Sequence, residues 1–371
     1  MLASYLEEVQ SSLKSVEAEA TVVVMPDFFL DRFVTLNCGI KAFYEMLGNV
    51  AGRKGGSIDE IAQKEFRGGN AINTASALAC LGIKVVPIVC TDRLGFRLIR
   101  HYLRSSRINL SHVKISSKMS ITTALEFETE NGKVNVMLRD IGSLEDFGPE
   151  KLSREDYEAI AKADYVCVFN WAGTRKYGTE LAEAVFSHAK SRGKSRTYYD
   201  TADPTPNKEK ADHLIKQVLQ ANFLDILSLN ENEAIFYASR LGFDMAQAGK
   251  SGFEELAMNS ARTIAKHVKA RVDLHTTSFS ATLTGKNETI VPTFKVPVLR
   301  VTGAGDAWNA GNILGEILQL SDSARLMLAN AVAAYYISNT AGRHPTRIEL
   351  IKFCNKLKRA VVTKTDKSWP K

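Results

Sequence analysis

The sequence predicts an α/β fold of three layers (α/β/α), with helices on both faces of a mostly parallel central sheet, and a small β-rich lid added to it. Two observations carry this expectation. Short apolar runs of strand length alternate with stretches of helical spacing, the pattern of βαβ units. Two regions, about 32–66 and 120–140, break that alternation; in the second, TTALEFETENGKVNVML (Thr122–Leu138) places a hairpin-like ENGK turn between two alternating segments. We expect one domain over residues 1–371, the lid segments being insertions, and at 371 residues and 45% hydrophobic content the chain can bury a large core.

The elements follow in order. Leu2, Tyr5, Leu6, Val9, Leu13 and Val16 recur at helical spacing and predict an opening helix. TVVVMP (Thr21–Pro26), VVPIVC (Val85–Cys90), YVCVFNW (Tyr165–Trp171), RTYYD (Arg196–Asp200), DILSLN (Asp225–Asn230) and VDLHTT (Val272–Thr277) predict core strands. Asn73–Gly82, Thr179–Gly193 and Phe253–Val268 predict helices between them. In such sheets ligands collect at the carboxyl ends of the strands.

Composition narrows the function classes. The net charge of +7 would suit anionic partners, but the basic residues are scattered except in the tail Lys356–Lys371 and are not interleaved with aromatics, so nucleic acid is not an expected partner. The odd count of five cysteines, none at CxxC spacing, fits a reducing cytoplasm. No apolar run approaches the roughly 18 residues that span a bilayer, so no membrane anchor is expected. The seven histidines stand apart from one another without HxxxH spacing, and each is expected to be a surface or satisfied core residue. Gly249-Lys250-Ser251 looks like the end of a phosphate-binding P-loop, but Asp244 stands where that motif needs its first glycine; a loop between helices is expected there.

Two segments carry chemistry. RVTGAGDAWNAG (Arg300–Gly311) leads into a helix whose apolar positions include Trp308, Ile313, Leu314 and Ile317. Its glycines let the backbone approach a ligand, and the free N–H groups of a helix start favour an anion. Asp306 is either a cap of that helix or a group that meets the ligand, and the helix N-terminus is expected to lower its pKa. In RGGNAINTASALACLG (Arg67–Gly82), paired glycines and Asn70 precede an Ala-rich helix; this is a tight turn with close packing, or a place where backbone and amide meet a polyhydroxylated ligand.

In this order, GGNAINTASALACLG and VTGAGDAWNAG resemble the two signatures of the ribokinase-like (PfkB) family of carbohydrate and nucleoside kinases, and the likeness covers roughly Thr21 to Leu357. The resemblance implies that Asp306 is the base for the acceptor hydroxyl and that Gly303, Ala304 and Gly305 form the anion hole. It implies that NENE (Asn230–Glu233) organises hydrated Mg²⁺ and the nucleotide phosphates through Asn230 and Glu233, the latter through water. Asp31, with Asp27 beside it, matches the sugar-binding segment, although Pro26 stands where the family has glycine. Gly68, Gly69, Asn70 and Asn73 would line the acceptor; Thr276, Thr302 and Asn330 would meet the nucleotide. The chain departs from the family in TTSFSA (Thr276–Ala281), which lacks the family's glycines, and in Val301, where an aspartate is usual.

The expected activity is transfer of the terminal phosphoryl of a nucleotide, ATP or ADP, to a hydroxyl of a sugar, sugar phosphate such as ribose 1-phosphate, or nucleoside. A binding protein that kept the fold without catalysis is the alternative outside enzymes. Arg139 and Arg67 are candidates to meet a phosphate already on the acceptor, or else simple surface or ion-pairing cations. The resemblance also implies a homodimer joined through the lid.

Overall fold

A computed structural model describes residues 2–15, 19–130, 132–244, 252–285 and 287–362. Gly249–Ser251 lie outside these, as does Asn131 of the hairpin turn. The strands are β1 Thr21–Met25, β2 Phe29–Thr35, β3 Ala62–Gly68, β4 Lys84–Pro87, β5 Cys90–Thr91, β6 Lys114–Ile115, β7 Ser120–Thr129, β8 Gly132–Asp140, β9 Tyr165–Phe169, β10 Arg196–Asp200, β11 Ile226–Asn230, β12 Arg271–His275, β13 Phe279–Thr284 and β14 Asn287–Pro292. The helices are α1 Leu2–Ser15, α2 Ile40–Gly52, α3 Asn70–Cys80, α4 Arg93–Tyr102, α5 Arg154–Lys162, α6 Gly178–Arg192, α7 Ala211–Leu214, α8 Glu231–Arg240, α9 Phe253–His267, α10 Ala304–Ile317, α11 Asp322–Ile337 and α12 Arg347–Val362.

Eight strands form the main sheet in the order β14-β13-β12-β11-β10-β9-β1-β4. The six from β12 to β4 are parallel, and β13 and β14 close one edge antiparallel. Strand alternation divides the core into two faces. Val22 and Val24 face the layer of α1, α3, α10 and α11, while Val23 and Met25 face the layer of α6, α8 and α9. The three-layer arrangement follows, since a parallel sheet buries both faces.

Expected strands and helices form near their expected bounds, with three differences. VVPIVC does not run as one strand: β4 ends at Pro87 and Cys90 starts the short β5, consistent with proline's missing donor. The β13–β14 edge hairpin was not expected. The stretch 32–66 is not wholly β: β2 starts at Phe29, β3 runs on to Gly68, and the helix α2 lies between them. Ile40, Tyr44 and Leu47 fall on one stripe of that helix and are exposed, and none of its residues is buried.

The second sheet, β3-β2-β7-β8, stands against the carboxyl-end side of the first through Phe29 and Gly68. Its register places one row of residues side by side on one face: Phe66 opposite Asp31, Asp31 opposite Thr122, and Thr122 opposite Arg139. That row leads from the start of α3 outward.

Candidate active site

The helix α10 starts at a glycine because its entry turn is left-handed. Gly303 has φ +88°, and a Cβ there would lie 2.6 Å from the Tyr336 hydroxyl oxygen. Gly69, which precedes α3, has φ +92°, and its Cβ would lie 2.9 Å from Asp27 O. Both turns therefore need glycine, and both bring a helix start to one place. Ala304 N–H is held by Val301 O at 3.1 Å. The N–H groups of Gly305 and Asp306 are first-turn donors with no intrahelical acceptor, so of the expected anion hole the Ala304 amide is the one tied into the turn.

Asp306 lies in this first turn, 5% exposed. Asn70 Nδ2 donates to its Oδ1 at 2.8 Å, and Asn73 Nδ2 donates to its Oδ2 at 2.9 Å. Its side chain does not cap its own helix; it is fixed by amides from α3. Burial pushes its carboxyl well above the usual carboxylate range, Asp200 and Asp27 add to the rise, and the two amides oppose it. The expected lowering by the helix terminus is overturned, because desolvation outweighs the terminal dipole.

Asp31 sits next to Gly68, where a Cβ would run into the Asp31 carboxylate. Burial raises its pKa to about 6, against the opposing pull of Thr122 and Arg139. Arg139 packs its guanidinium over the Phe29 ring, 5.1 Å from the centroid. Asp27 takes another role: its oxygens accept Asn70 N–H at 2.9 Å, Ala71 N–H at 2.8 Å and Asn170 Nδ2 at 2.8 Å. It is fully buried and anchors the start of α3 in place of meeting an acceptor. Arg67 pairs in register with Leu30, so it lies on the opposite face from Asp31; it donates to His344 Nδ1 at 2.9 Å and Gly342 O at 3.4 Å. It therefore groups with His344 and Tyr336, within electrostatic reach of Asp306.

On the nucleotide side, several expected contacts are engaged elsewhere. Asn330 is buried in the core, with its Oδ1 accepting Trp308 Nε1 at 2.9 Å and Ser280 Oγ at 2.6 Å, and its Nδ2 donating to Pro292 O at 3.0 Å. Its amide braces α10 against β13, which corrects the expectation of a nucleotide contact. The Thr276 hydroxyl donates to Phe279 O at 2.8 Å and closes the β12–β13 turn; Thr302 offers its carbonyl to Tyr336 Oη at 3.3 Å. Glu233 and Asn230 form a reciprocal cap: Glu233 accepts Asn230 N–H at 2.9 Å and Asn230 Nδ2 at 2.7 Å, and Asn230 Oδ1 accepts Glu233 N–H at 3.0 Å.

One group was not anticipated. His275, at the end of β12, lies beside Trp308 with ring centroids 4.9 Å apart and the ring planes tilted by 34°. A Cβ at Gly305 would lie 3.4 Å from its Cε1. Its Nε2 is buried with no partner among the described residues, and burial lowers its pKa to about 4, so the ring is neutral. The expectation of a satisfied core histidine fails here. Among the described residues no helix is long and apolar enough to cross a membrane.

A mostly parallel sheet between two helical layers, with an acid at the shared start of two helices, defines a ribokinase-like fold. The chain belongs to the pfkB family of carbohydrate kinases, whose family model matches residues 39–348. It is 27% identical over 289 residues to the ATP-dependent ribose-1-phosphate kinase of Halopiger xanaduensis, covering 77% of this chain and 84% of that protein. It is 24% identical over 294 residues to the ribokinase of Haemophilus influenzae, covering 77% and 86%. Among solved structures, Arabidopsis thaliana ribokinase complexed with ribose and ATP superposes with a TM-score of 0.69 at 19% identity, covering 91% of this chain and 99% of that one. Cryptococcus neoformans ribokinase in complex with ADP gives 0.68 at 17% identity, with 91% and 99% covered.

Proposed function

We propose that this kinase moves the terminal phosphoryl of ATP to a hydroxyl of a pentose or pentose phosphate. The observation that carries this reading is the Asp306 carboxylate, buried beside free helix-start amides and aimed by Asn70 and Asn73. The acceptor oxygen attacks the γ-phosphorus, a new O–P bond forms, and the bond from that phosphorus to the bridging oxygen breaks, releasing ADP. Asp306 receives the hydroxyl proton, which in a loose transition state leaves late. The amides of Gly305 and Asp306 receive the phosphoryl oxygens. Asp31 orients the acceptor from the small sheet, and movement of that sheet over the cleft as a lid would exclude water.

The residues present fit a hydrated Mg²⁺. Asp200, Asp203 and Glu231 crowd Glu233 with like charge and, after burial, raise its pKa further, and a divalent cation beside them relieves that repulsion. Glu233 and Asn230 would hold it through its waters, because both Glu233 oxygens already accept from Asn230. When bound, the ion would neutralise charge on the nucleotide phosphates.

A homodimer through the small sheet is part of the same proposal. Val134, Val136 and Leu138 line one face of the edge strand β8 and are exposed, a row that pairing with a second copy would cover. Nucleotide consumption by the purified protein with pentoses, pentose phosphates and nucleosides, comparing ATP with ADP and Mg²⁺ with chelator, tests the activity. No turnover with any acceptor would sink it. Light scattering on the same preparation tests the dimer, which a monomer mass would exclude.

A further inference from the structure

Backbone geometry gives no reason for glycine at position 305. Unlike Gly303, Gly305 has a φ outside the left-handed region, so alanine there would meet no conformational strain. Beyond its own helix, a Cβ at 305 would have just two atoms of the described residues within 4 Å, His275 Cε1 at 3.4 Å and Nε2 at 3.9 Å. These are ordinary contact distances, and on every other side the Cβ would project into open space. Alanine is also the better helix former. The space left over the Gly305 α-carbon adjoins the first-turn N–H groups of α10, where an anion is favoured.

The one wall of that space is held in place. His275 ends β12 in register with Asn230 of β11 on one side and Ser280 of β13 on the other. Trp308 lies against its ring, and the indole is itself fixed, its Nε1 donating to Asn330 Oδ1 at 2.9 Å and Ser280 Oγ at 3.0 Å. The Cε1–Nε2 edge of the imidazole therefore faces the Gly305 space, and Nε2 is buried there with no partner among the described residues. A buried polar atom left bare is costly, so its place beside an open space points to a ligand atom that fills both needs. Burial keeps the ring neutral against the pull of Glu231 and Asp273, which leaves it one N–H and one lone pair. Beside an anion the hydrogen belongs on Nε2, because a lone pair aimed there would repel it. We infer that His275 is a further donor of the cradle, its Nε2–H bonding an oxygen of the phosphoryl group that sits on the Gly305 and Asp306 amides. This rests on the kinase reading above and adds a catalytic residue to it. The ring keeps its proton throughout: the hydroxyl proton goes to Asp306, and His275 stabilises the charge on the phosphoryl oxygens in the transition state. Glycine at 305 then has its reason, since a methyl group would take the place of that oxygen.

The test is ATP turnover by the full chain and by H275F, H275Q and G305A, with the pentose or pentose phosphate that wild type turns over, alongside melting temperature and ADP affinity. H275F keeps an aromatic ring beside Trp308 and has no donor. It is expected to hold its melting temperature and ADP affinity and to lose about 10²–10³-fold in kcat, the range for one oxyanion donor, with an equal loss in kcat/KM that marks an interaction made in the transition state. H275Q, whose amide N–H can reach the same place, should recover about tenfold or more of that loss. G305A should keep or raise the melting temperature while kcat falls about 10²-fold. A ring that serves packing alone predicts the reverse order, with H275F near wild type and H275Q impaired and less stable. That order, or an H275F kcat within about threefold of wild type, overturns the inference and leaves the kinase reading standing. If H275F does not fold, G305A decides: normal turnover in a stable G305A shows that no ligand atom enters the space and overturns the inference. Absence of wild-type turnover with every pentose, pentose phosphate and nucleoside, with ATP still bound, overturns the kinase reading and this inference with it.

Discussion

Asn73 Nδ2 lies 2.9 Å from Asp306 Oδ2, which joins the first turns of two helices 233 positions apart in the chain. The Oδ1 atom of the same asparagine is buried and has no partner among the described residues. The amide can therefore reverse at little cost, and it would then accept from an amide at position 306. D306N is thus expected to keep its melting temperature while kcat falls by about 10²–10⁴-fold, the range for losing a general base. Single-turnover phosphoryl transfer with saturating ATP measures this, and near-normal turnover would remove Asp306 from the role of base.

Removing the partner instead of the acid gives a different signature. The Asn73 hydrogen bond lowers the Asp306 pKa against burial, so N73A should raise that pKa further. The acid limb of the kcat profile is expected to move to higher pH, with a plateau about tenfold or less below wild type. A plateau loss with no shift of the limb would mean that Asn73 acts only through packing.

Much of this site is legible in the sequence, and the limits have physical causes. The parallel strands announce themselves because burial on both faces makes them continuous apolar runs, as in TVVVMP and DILSLN. Asp306 and the glycines around it are legible because a left-handed turn leaves few residue choices, as Gly303 shows. The fate of Asn330 is not, since its partners Ser280 and Trp308 come from a strand and a helix far apart in sequence. The helix α2 escapes because Ile40, Tyr44 and Leu47 have the right spacing but sit inside an inserted segment read as β. His275 escapes for another reason: a lone histidine carries no spacing signal, and only the position of Gly305 beside it gives its bare Nε2 meaning.

The turn into α10 should resist any side chain. G303A would force a Cβ at φ +88° to within 2.6 Å of the Tyr336 hydroxyl, and a left-handed residue costs roughly 1–2 kcal/mol without a clash. Urea titration is expected to show at least that loss, with kcat reduced because the amide cradle moves. Y336F in the same chain removes the oxygen but leaves Cε1 at 3.1 Å from the added Cβ, so it should restore only part. Full recovery would place the whole penalty in the hydroxyl contact and none in the backbone.

Acceptor affinity should depend on pH through Asp31. Its carboxyl, raised by burial to about 6 in the free protein, accepts a hydroxyl hydrogen bond more strongly when ionised, so KM for the acceptor is expected to climb as pH falls through about 6. The sign for stability is opposite: a raised carboxyl pKa stabilises the fold below the unfolded value near 4, and that contribution is lost as pH rises through about 6. D31N should flatten the KM profile and raise its alkaline plateau. An unchanged KM profile in D31N would assign the titration to another group.

Beneath the site, an ion network braces the helix that bears Asp306. Asp273 accepts from Arg271 Nη2 at 2.8 Å, Arg325 Nη1 at 3.2 Å, Asn312 Nδ2 at 2.8 Å and Thr282 Oγ1 at 2.5 Å. Burial alone would raise its carboxyl, but the two arginines hold it well below the usual range. Its stabilising contribution is therefore present above the unfolded pKa near 4 and is lost only in strong acid. D273N leaves Arg325, itself 1% exposed, as a buried cation whose one remaining carboxylate partner among the described residues is Asp322 at 2.9 Å. Breaking a buried pair in this way costs about 3–5 kcal/mol, and urea titration at pH 7 should show a loss of that size. Replacing both partners, as in D273N/R325M, removes the stranded charge and is expected to recover much of the loss. Because Asn312 on α10 bonds to Asp273, kcat should fall in D273N and return in the double variant in step with stability. If stability returns and kcat does not, the network sets the position of Asp306 by geometry that an apolar replacement cannot supply.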